Sequence, residues 1–275
     1  MQKKIAVIND LSGYGRCSLT VAIPVLSAMG HQCCPIPTAI LSNHTGFPVY
    51  FFDDYTEKMT TYTDKWKELG LSFDAIATGF LGSEAQIGIV MEIVQKLKAE
   101  KTFVVVDPVM GDHGHAYETY TPEMCEQMKE LVCMADVVLP NVTECCILTD
   151  TPYREENWTR KELLNMAMML RLMGAKSVVI TGVREGSCYT NVVLEQGQYD
   201  AKFIRTRSSG GERPGTGDVF SSVVAGALLN GKSLPEAVSQ AAGFVKECIK
   251  VSDEEQIPHA NGVCFEKILG KLIKK

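Results

Sequence analysis

The residues from Gly210 to Asp218, GGERPGTGD, combine a glycine-rich turn with a single acid at its end. The apolar residues that follow recur at three- and four-residue steps and predict a helix that stops at Asn230-Gly231. Gly215 and Gly217 let the backbone bend, so that several free N–H groups of the helix start can point at one spot. Because the helix dipole adds positive potential there, the stretch predicts an anion hole suited to phosphate oxygens.

Asp218 does not fit a simple phosphate site, because a carboxylate repels phosphate. One interpretation is that it faces a second reactant, a hydroxyl group whose proton must leave as its oxygen attacks phosphorus. The other interpretation is that Asp218 only caps the helix, which is a common role for aspartate. This stretch alone leaves both interpretations open.

The composition is that of an ordinary soluble protein. The chain has 275 residues, of which 45% are hydrophobic and 22% charged, enough for one large α/β domain. Its net charge of −6 argues against a nucleic-acid partner, which would require a basic face. The first apolar run is short and ends in an acid, so we expect no signal peptide, and no apolar segment is long enough to cross a membrane.

The ten cysteines form no C-x-x-C pair, which argues against a zinc site or a redox dithiol. Several of them lie inside apolar periodic segments. We therefore expect reduced, mostly buried thiols in a cytoplasmic protein.

Short apolar runs alternate with amphipathic segments along the chain. We predict strands at residues 5–8, 32–41, 74–78, 102–106, 136–141 and 177–181, with a hairpin within 186–206. We predict helices at 18–29, 56–69, 84–98, from 121 onward, 159–173, after 218, at 233–249 and at 263–273. Residues 9–15 and 42–47 are predicted loops, and Pro35 and Pro37 place the second strand at an edge or a bend.

This alternation predicts one domain over residues 1–275, with a parallel sheet covered by helices on both faces. In such sheets ligands bind beyond the carboxyl ends of the strands. The polar residues at those ends are Asp10, Asp107, Asn141, Glu144, Thr181 and Gly182, together with the Gly215 turn. Their convergence favours the proton-acceptor interpretation of Asp218.

Four motifs occur in order and together resemble the pyridoxal kinase branch of the ribokinase-like kinases. They are Gly215-Thr216-Gly217-Asp218, similar to the G-[TA]-G-D signature, with Ser42-Asn43-His44-Thr45-Gly46, Asp107-Pro108-Val109-Met110-Gly111-Asp112 and Pro140-Asn141-x-x-Glu144. The likeness extends from Ile5 to about Phe244. It implies a three-layer α/β/α sandwich with a mostly parallel central sheet and no separate β lid.

The resemblance also implies an activity, the ATP-dependent phosphorylation of the hydroxymethyl group of pyridoxal, pyridoxine or pyridoxamine. It implies a homodimer that uses Mg²⁺ and a monovalent cation such as K⁺. Asp218 matches the catalytic base, and Gly215, Thr216 and Gly217 match the anion hole. Asp107, Asn141, Glu144, Thr181 and Gly182 match nucleotide positions, with Asp107 and Glu144 near the magnesium. Asp10, Thr38, Thr45, Phe80 and Tyr120 match positions that line the vitamer pocket or its lid.

Two residues depart from the family pattern, and both leave the preferred vitamer open. Asp10 stands where the family usually has serine, and Phe80 replaces a common tyrosine. Asp10 has no obvious structural task in a polar loop, which favours a substrate contact. Asn141 and Glu144 have a second interpretation, because an asparagine followed three residues later by an acid is also a helix capping box.

Three functions remain open from the sequence. Besides a pyridoxal kinase, the chain could be another kinase of this superfamily, acting on hydroxymethylpyrimidine or on a sugar. Only a short loop separates Ile8 from the helix at Ser18, where sugar kinases insert a β lid, and this favours a flat heterocycle. The third function is a non-catalytic sensor of vitamer or nucleotide, and the intact Asp218 argues against it because a sensor needs no base.

Overall fold

A large β-sheet forms the middle layer of the protein, whose computed structural model describes residues 2–273. Its strands are β1 (Lys4–Tyr14), β2 (Gln32–Asn43), β3 (Phe52–Asp54), β4 (Ala75–Thr78), β5 (Phe103–Val106), β8 (Val137–Val138), β9 (Ser177–Glu185), β10 (Cys188–Leu194) and β11 (Lys202–Arg207). They lie in the order β11-β10-β9-β8-β5-β4-β1-β2-β3. A separate small hairpin joins β6 (Gly111–Asp112) to β7 (His115–Ala116).

Helices connect most of the strands. They are α1 (Ser18–Ala28), α2 (Thr56–Glu68), α3 (Glu84–Leu97), α4 (Pro122–Cys133), α5 (Val142–Leu148), α6 (Arg160–Met173), α7 (Thr216–Leu229) and α8 (Leu234–Glu254). Two 3₁₀ segments, His259–Asn261 and Glu266–Leu272, follow α8. Within residues 2–273, none of the helices has the length and apolar character that crossing a membrane requires.

Six adjacent strands, from β2 to β9 in the sheet order, run parallel, whereas β3 and β10 pair antiparallel with their neighbours. Ile8, Thr78, Val106 and Val138 occupy matching positions on β1, β4, β5 and β8. The residues that follow these positions therefore lie at one edge of the sheet. A parallel sheet places its ligand site at that edge.

Successive residues of β1 point to opposite faces of the sheet, and each face has its own apolar core. Ala6 and Ile8 pack in the core that contains residues of α2 to α6. Ile5 and Val7 pack in the core that contains residues of α1, α7 and α8. Burial on both faces explains why the strands are uniformly apolar, and it confirms the predicted three-layer α/β/α sandwich. The domain limits predicted at residues 1 and 275 lie outside the described residues.

The predicted loop at residues 9–15 is wrong, because β1 continues to Tyr14 and pairs with β2 as far as Asn43. The neighbouring strand supplies hydrogen-bond partners that override the turn preference of glycine and asparagine. The register of β1 on β2 shifts between Asn9 and Leu11, which is a bulge beside Asp10. Bulges bend a strand and re-aim its side chains, and they are frequent near active sites.

The predicted C-terminal helix at 263–273 is also wrong. Val263 to Phe265 are buried without helical structure, and only the 3₁₀ segment Glu266–Leu272 follows them. This segment contains Gly270, and only Leu272 within it is buried, so little packing stabilises an α-helical turn. The sequence analysis also missed β3 and the β6–β7 hairpin, and it included α5 only as the capping-box interpretation of Asn141 and Glu144.

The prolines of β2 lie where the sheet tolerates them. β3 pairs only with Ala39 to Leu41, so at Pro35 and Pro37 β2 has a strand neighbour on one side only, as predicted. The ten cysteines are all free thiols, five of them buried and one, Cys133, exposed. Between residues 2 and 273 no cluster of three or more His, Cys, Asp or Glu side chains could hold a metal ion by itself.

Candidate active site

Helix α7 begins in a backbone turn that only glycine can form. Gly215 is the N-cap residue, with a left-handed φ of 78°. A methyl group at Gly215 would overlap the backbone carbonyl oxygen of Arg16, because the α7 turn lies directly against the β1–α1 connection. Gly217, in contrast, has no positive φ and continues the helix, and an added Cβ would meet no atom within 4 Å.

The first turn of α7 leaves its backbone donors unused. Gly215 has no side chain to accept from them, and no other side-chain cap is formed. The N–H groups of Thr216, Gly217 and Asp218 precede the first intrahelical bond, from Val219 N–H to the Gly215 carbonyl. Free donors, the positive end of a 14-residue helix and the open space at Gly217 make a site that can hold an anionic oxygen.

Asp218 is not the N-cap of α7, because Gly215 occupies that position and Asp218 lies three residues later. Its carboxylate accepts hydrogen bonds from the Asn9 side chain, at 3.1 Å, and from the Ser18 backbone N–H. Burial raises the pKa of Asp218 to about 6, and the nearby charge of Asp10 also raises it, whereas the two hydrogen bonds lower it. The structure therefore excludes the simple capping interpretation of this acid.

Asp107 lies at the end of β5 and near Asp218. Burial raises the pKa of Asp107 to about 7, with a further increase from the charge of Asp218, while hydrogen bonds from Ser221 and from the Val109 backbone lower it. Ser18 and Val109, which donate backbone N–H groups to the two acids, both have the positive φ that is uncommon outside glycine. Local backbone strain of this kind is typical of functional sites.

Asp10 has a structural task that the sequence did not indicate. It lies in β1 with only 5% of its surface exposed, and its two carboxylate oxygens accept hydrogen bonds from the hydroxyl groups of Ser12 and Ser18. Burial raises its pKa, and these two hydrogen bonds oppose that shift. Asp10 thus fixes the start of α1 close to Asp218, and its contact with a substrate stays a prediction.

Asn141 and Glu144 form the capping box of α5. The Asn141 side chain accepts from the Glu144 N–H, and the Glu144 carboxylate accepts from the Asn141 N–H at 2.8 Å and the Met110 N–H at 3.0 Å. Glu144 is only 3% exposed, and burial followed by the charge of Asp107 raises its pKa well above the usual range. Because both of its oxygens hold backbone donors, Glu144 fixes the Asp107–Met110 turn to α5.

The nucleotide positions predicted on β9 lie beside this turn. Thr181 pairs with Asn141 in an isolated parallel bridge and donates its N–H to the Pro140 carbonyl at 2.8 Å. Gly182 follows with a φ of 70°, is exposed, and has open space where a side chain would be. The structure thus brings Asn141, Thr181 and Gly182 together at the same sheet edge as Asp107.

The five predicted vitamer residues do not all line one surface. Thr38 is fully buried and donates its hydroxyl to the Phe80 carbonyl, so it supports Phe80, which is partly exposed. Thr45 is exposed on the β2–β3 connection. Tyr120 lies in the core, where its hydroxyl donates to the Pro108 carbonyl at 3.3 Å and so supports the Asp107 turn, and its contact with a vitamer stays a prediction.

His44 shapes the neighbouring loop. Its Nδ1 accepts the Gly46 N–H, so Nε2 carries the proton and donates to the Ala260 carbonyl at 2.8 Å. Its ring contacts Phe47 and the backbone at Gly15. His44 therefore connects the β2–β3 loop to the C-terminal segment.

An anion site with acids at the edge of a parallel sheet is typical of an enzyme. Comparison with known protein families agrees with this, because one family model matches most of the chain. Residues 23–264 match the model of a known protein family, described as phosphomethylpyrimidine kinase. The chain belongs to this kinase family.

Several solved structures resemble this kinase closely. A protein from Bacteroides thetaiotaomicron assigned as a phosphomethylpyrimidine kinase is 39% identical, with a TM-score of 0.96 and coverage of 100% of this chain and 95% of that one. An orthorhombic crystal form of it contains pyridoxal and gives a TM-score of 0.94, covering 99% and 96% of the two chains. The pyridoxal kinase of Lactobacillus plantarum is 27% identical, with a TM-score of 0.91 and coverage of 99% and 97%.

A sequence relative also matches over most of the chain. The pyridoxine kinase of Bacillus subtilis is 28% identical over 269 residues, which cover 92% of this kinase and 85% of the relative. This kinase therefore shares its whole domain, and not an isolated motif, with enzymes whose names include pyridoxine and pyridoxal.

Sequence reasoning missed three residues of the site in this kinase. Asn9 and Ser18 donate hydrogen bonds to Asp218, and Gly79 gives the Asn9 side chain the space that it occupies. The only signal in the sequence was the position of Asn9, directly after the first buried strand. Ser18 gave no signal beyond a helix start.

Proposed function

We propose that this kinase transfers the γ-phosphoryl group of ATP to the hydroxymethyl group of pyridoxal, pyridoxine or pyridoxamine. The observation that carries the proposal is the position of the partly buried Asp218 carboxylate within the helix turn whose free N–H groups can hold an anion. A base next to an anion site is the arrangement that phosphoryl transfer to an alcohol requires. The relatives named for pyridoxal and pyridoxine supply the substrate class.

In the proposed mechanism the hydroxymethyl oxygen attacks the γ-phosphorus of ATP as its O–H proton passes to the Asp218 carboxylate. The bond from the γ-phosphorus to the bridging oxygen breaks, and ADP leaves with that oxygen. The N–H groups of Thr216, Gly217 and Asp218 stabilise the negative charge that develops on the transferred group. Asn9 and Ser18 hold the base in place.

Asp107 fits the Mg²⁺ ion that such a reaction uses, because it is a carboxylate residue at the sheet edge that is not fully covered by its neighbours. Within residues 2–273, no lysine, arginine or histidine side chain pairs with the Asp107 carboxylate, so no protein cation competes with the metal ion there. Mg²⁺ usually takes one or two carboxylates and completes its shell with phosphate and water. When bound, it would neutralise phosphate charge. Glu144 would support the Mg²⁺ ion indirectly, by holding the turn that carries Asp107. A bound monovalent cation is also part of the proposal.

The activity should depend on pH through Asp218. Its pKa of about 6 means that the carboxylate is mostly ionised at pH 7 and can accept a proton. At pH 5 about one tenth would remain ionised, so we expect kcat to fall roughly tenfold between pH 7 and pH 5. Initial rates at saturating ATP and vitamer, in buffers of constant ionic strength, measure this profile. A flat profile between pH 5 and pH 7 would contradict it.

A kinase for hydroxymethylpyrimidine is the second candidate, favoured by the family description and by its similar flat ring with a hydroxymethyl group. One assay separates the two. Purified protein with Mg-ATP receives pyridoxal, pyridoxine, pyridoxamine and hydroxymethylpyrimidine in parallel, and ADP formation and phosphorylated product are both measured. We expect turnover of at least one vitamer above that of the pyrimidine. The reverse order would transfer the assignment to thiamin synthesis, and no turnover of any of the four would support a sensor.

We further propose a homodimer in the cytoplasm, in which a second copy covers the edge of the sheet at β3. The segment at this edge exposes Val49, Tyr50, Phe51 and Phe52, each with more than 40% of its surface accessible. A contiguous apolar patch beside an open sheet edge is typical of a protein interface.

The dimer has a direct test. Light scattering should give twice the chain mass of 30.2 kDa, and Phe51→Glu should lower it to the monomer value because the charge would be buried at the interface. Leu172→Glu, at a residue 88% exposed on α6, is the matched control and should leave the mass unchanged. A monomeric wild-type protein at micromolar concentration would contradict the proposal.

A further inference from the structure

The side chain of Asn9 joins β1 to the acid of α7. It is 5% exposed and donates from Nδ2 to Asp218 Oδ1 at 3.1 Å, across 209 residues of sequence. We infer that Asn9 is a positioning residue that orients the Asp218 carboxylate for proton transfer. This inference rests on the proposed function, because it assigns a role within the same reaction.

The orientation of the Asn9 amide follows from its other partners. Its Oδ1 accepts the backbone N–H of Phe80 at 2.9 Å and that of Asp10 at 3.0 Å. Only the oxygen of the amide can accept these two donors, so the NH₂ group must face Asp218. A donor whose direction is fixed in this way holds the carboxylate in one orientation.

The space around Asn9 leaves it no alternative position. A methyl group at Gly79 would overlap the Asn9 amide, so the β4–α3 connection lies directly against it. The Gly79 N–H itself donates to the Ile8 carbonyl, which fixes that connection to β1. Asn9 is thus held from its backbone, from its carbonyl oxygen and by packing.

Two donors still leave Asp218 able to react. A carboxylate has about four lone-pair sites, and Asn9 and the Ser18 N–H occupy two of them. The remaining sites can accept the proton of a substrate hydroxyl. Because neutral donors orient the carboxylate, it is fixed without the salt bridge that would make it a weaker base.

A purely structural role, in which Asn9 only links β1 to α7, predicts a different response to mutation. Asn9→Asp separates the two roles, because it keeps an oxygen for the N–H groups of Phe80 and Asp10 and replaces only the group that faces Asp218. Asn9→Ala, which removes both the amide oxygen and the NH₂ group, is the second variant. Each is also combined with Asp218→Asn, and kcat, both KM values and thermal unfolding are measured with Mg-ATP and the preferred vitamer.

We expect Asn9→Asp and Asn9→Ala to lower kcat about 10- to 100-fold, the scale of a misplaced catalytic group. The KM for ATP should change less than about twofold, since the anion site is intact. In the Asp218→Asn background, either change should lower kcat no further, because residues that act as a unit are not additive. Asn230→Ala, at the other end of α7 where the amide donates to the Met29 carbonyl, is the control and should leave kcat unchanged.

Each other outcome overturns the inference. If the kcat of a double variant falls by the product of the two single decreases, Asn9 acts independently of Asp218. If both single variants unfold at the assay temperature while Asn230→Ala does not, Asn9 belongs to folding alone. A wild-type protein that phosphorylates none of the substrates overturns the proposed function and this inference together, whereas the first two outcomes leave the proposed function standing.

Discussion

Asp218→Asn should reduce kcat by at least about 100-fold, because general-base catalysis typically contributes between 10² and 10⁴. An amide has nearly the same shape but cannot accept the proton of the substrate hydroxyl. ATP should still bind, since the free N–H groups of the first α7 turn do not depend on the side chain. Vitamer-dependent ADP formation gives kcat, and titration calorimetry with ATP gives the affinity.

Protein stability should not fall in this variant. Burial raises the pKa of Asp218, which means that the ionised carboxylate is disfavoured where it lies, and the neutral amide removes that cost. We therefore expect a melting temperature equal to or above that of the wild type. Asp150→Asn is the matched control, because Asp150 is exposed on the surface and its positive φ suits asparagine equally well. Turnover within about threefold of the wild type in Asp218→Asn would remove Asp218 from the role of base.

Gly215→Ala should be the most damaging single-methyl change in the site. Two costs add: the left-handed φ of 78° disfavours alanine by about 1–2 kcal/mol, and the overlap with the Arg16 carbonyl adds about 1–3 kcal/mol. We expect the free energy of unfolding to fall by about 2–5 kcal/mol. Any relief of the overlap moves the α7 turn away from Asn9 and Ser18, so kcat should fall as well.

Gly231→Ala separates the two costs. Gly231 also has a positive φ, 82°, but a methyl group there would meet no atom within 4 Å. It should lose only the conformational part, about 1–2 kcal/mol, and keep its activity. Urea denaturation of both variants, with the wild type alongside, gives the two differences. Equal losses at the two glycines would mean that the close approach to Arg16 has no energetic consequence.

Most of the layers could be predicted from local pattern. Apolar runs such as residues 102–106 are strands because parallel strands are buried on both faces, and capping residues such as Thr159 and Ser233 mark helix starts. The error at residues 9–15 arose because pairing with a neighbouring strand outweighed the local conformational preference of the residues. Residues 9–15 have loop composition, yet the strand continues as far as Tyr14 because this segment pairs with β2.

The candidate site was predicted in part for the same reason. Residues at strand ends must meet at one sheet edge, so Asp107, Thr181 and Asp218 could be placed together without coordinates. The orientation of the Tyr120 side chain could not be predicted, because a motif gives the position of a residue along the chain but not the direction in which its side chain points. Only the packing around it places its hydroxyl on the Pro108 carbonyl.

The sequence by itself determined the alternating layers, the glycine turn before α7 and the acid that follows it, since each depends on residues close together in the chain. Only the tertiary structure decided how that acid is held. The Asn9 amide, the Ser18 N–H and the Arg16 carbonyl reach the α7 turn from about 200 residues away. Contacts of this kind depend on how a helix layer packs against the central sheet, and no local periodicity encodes them.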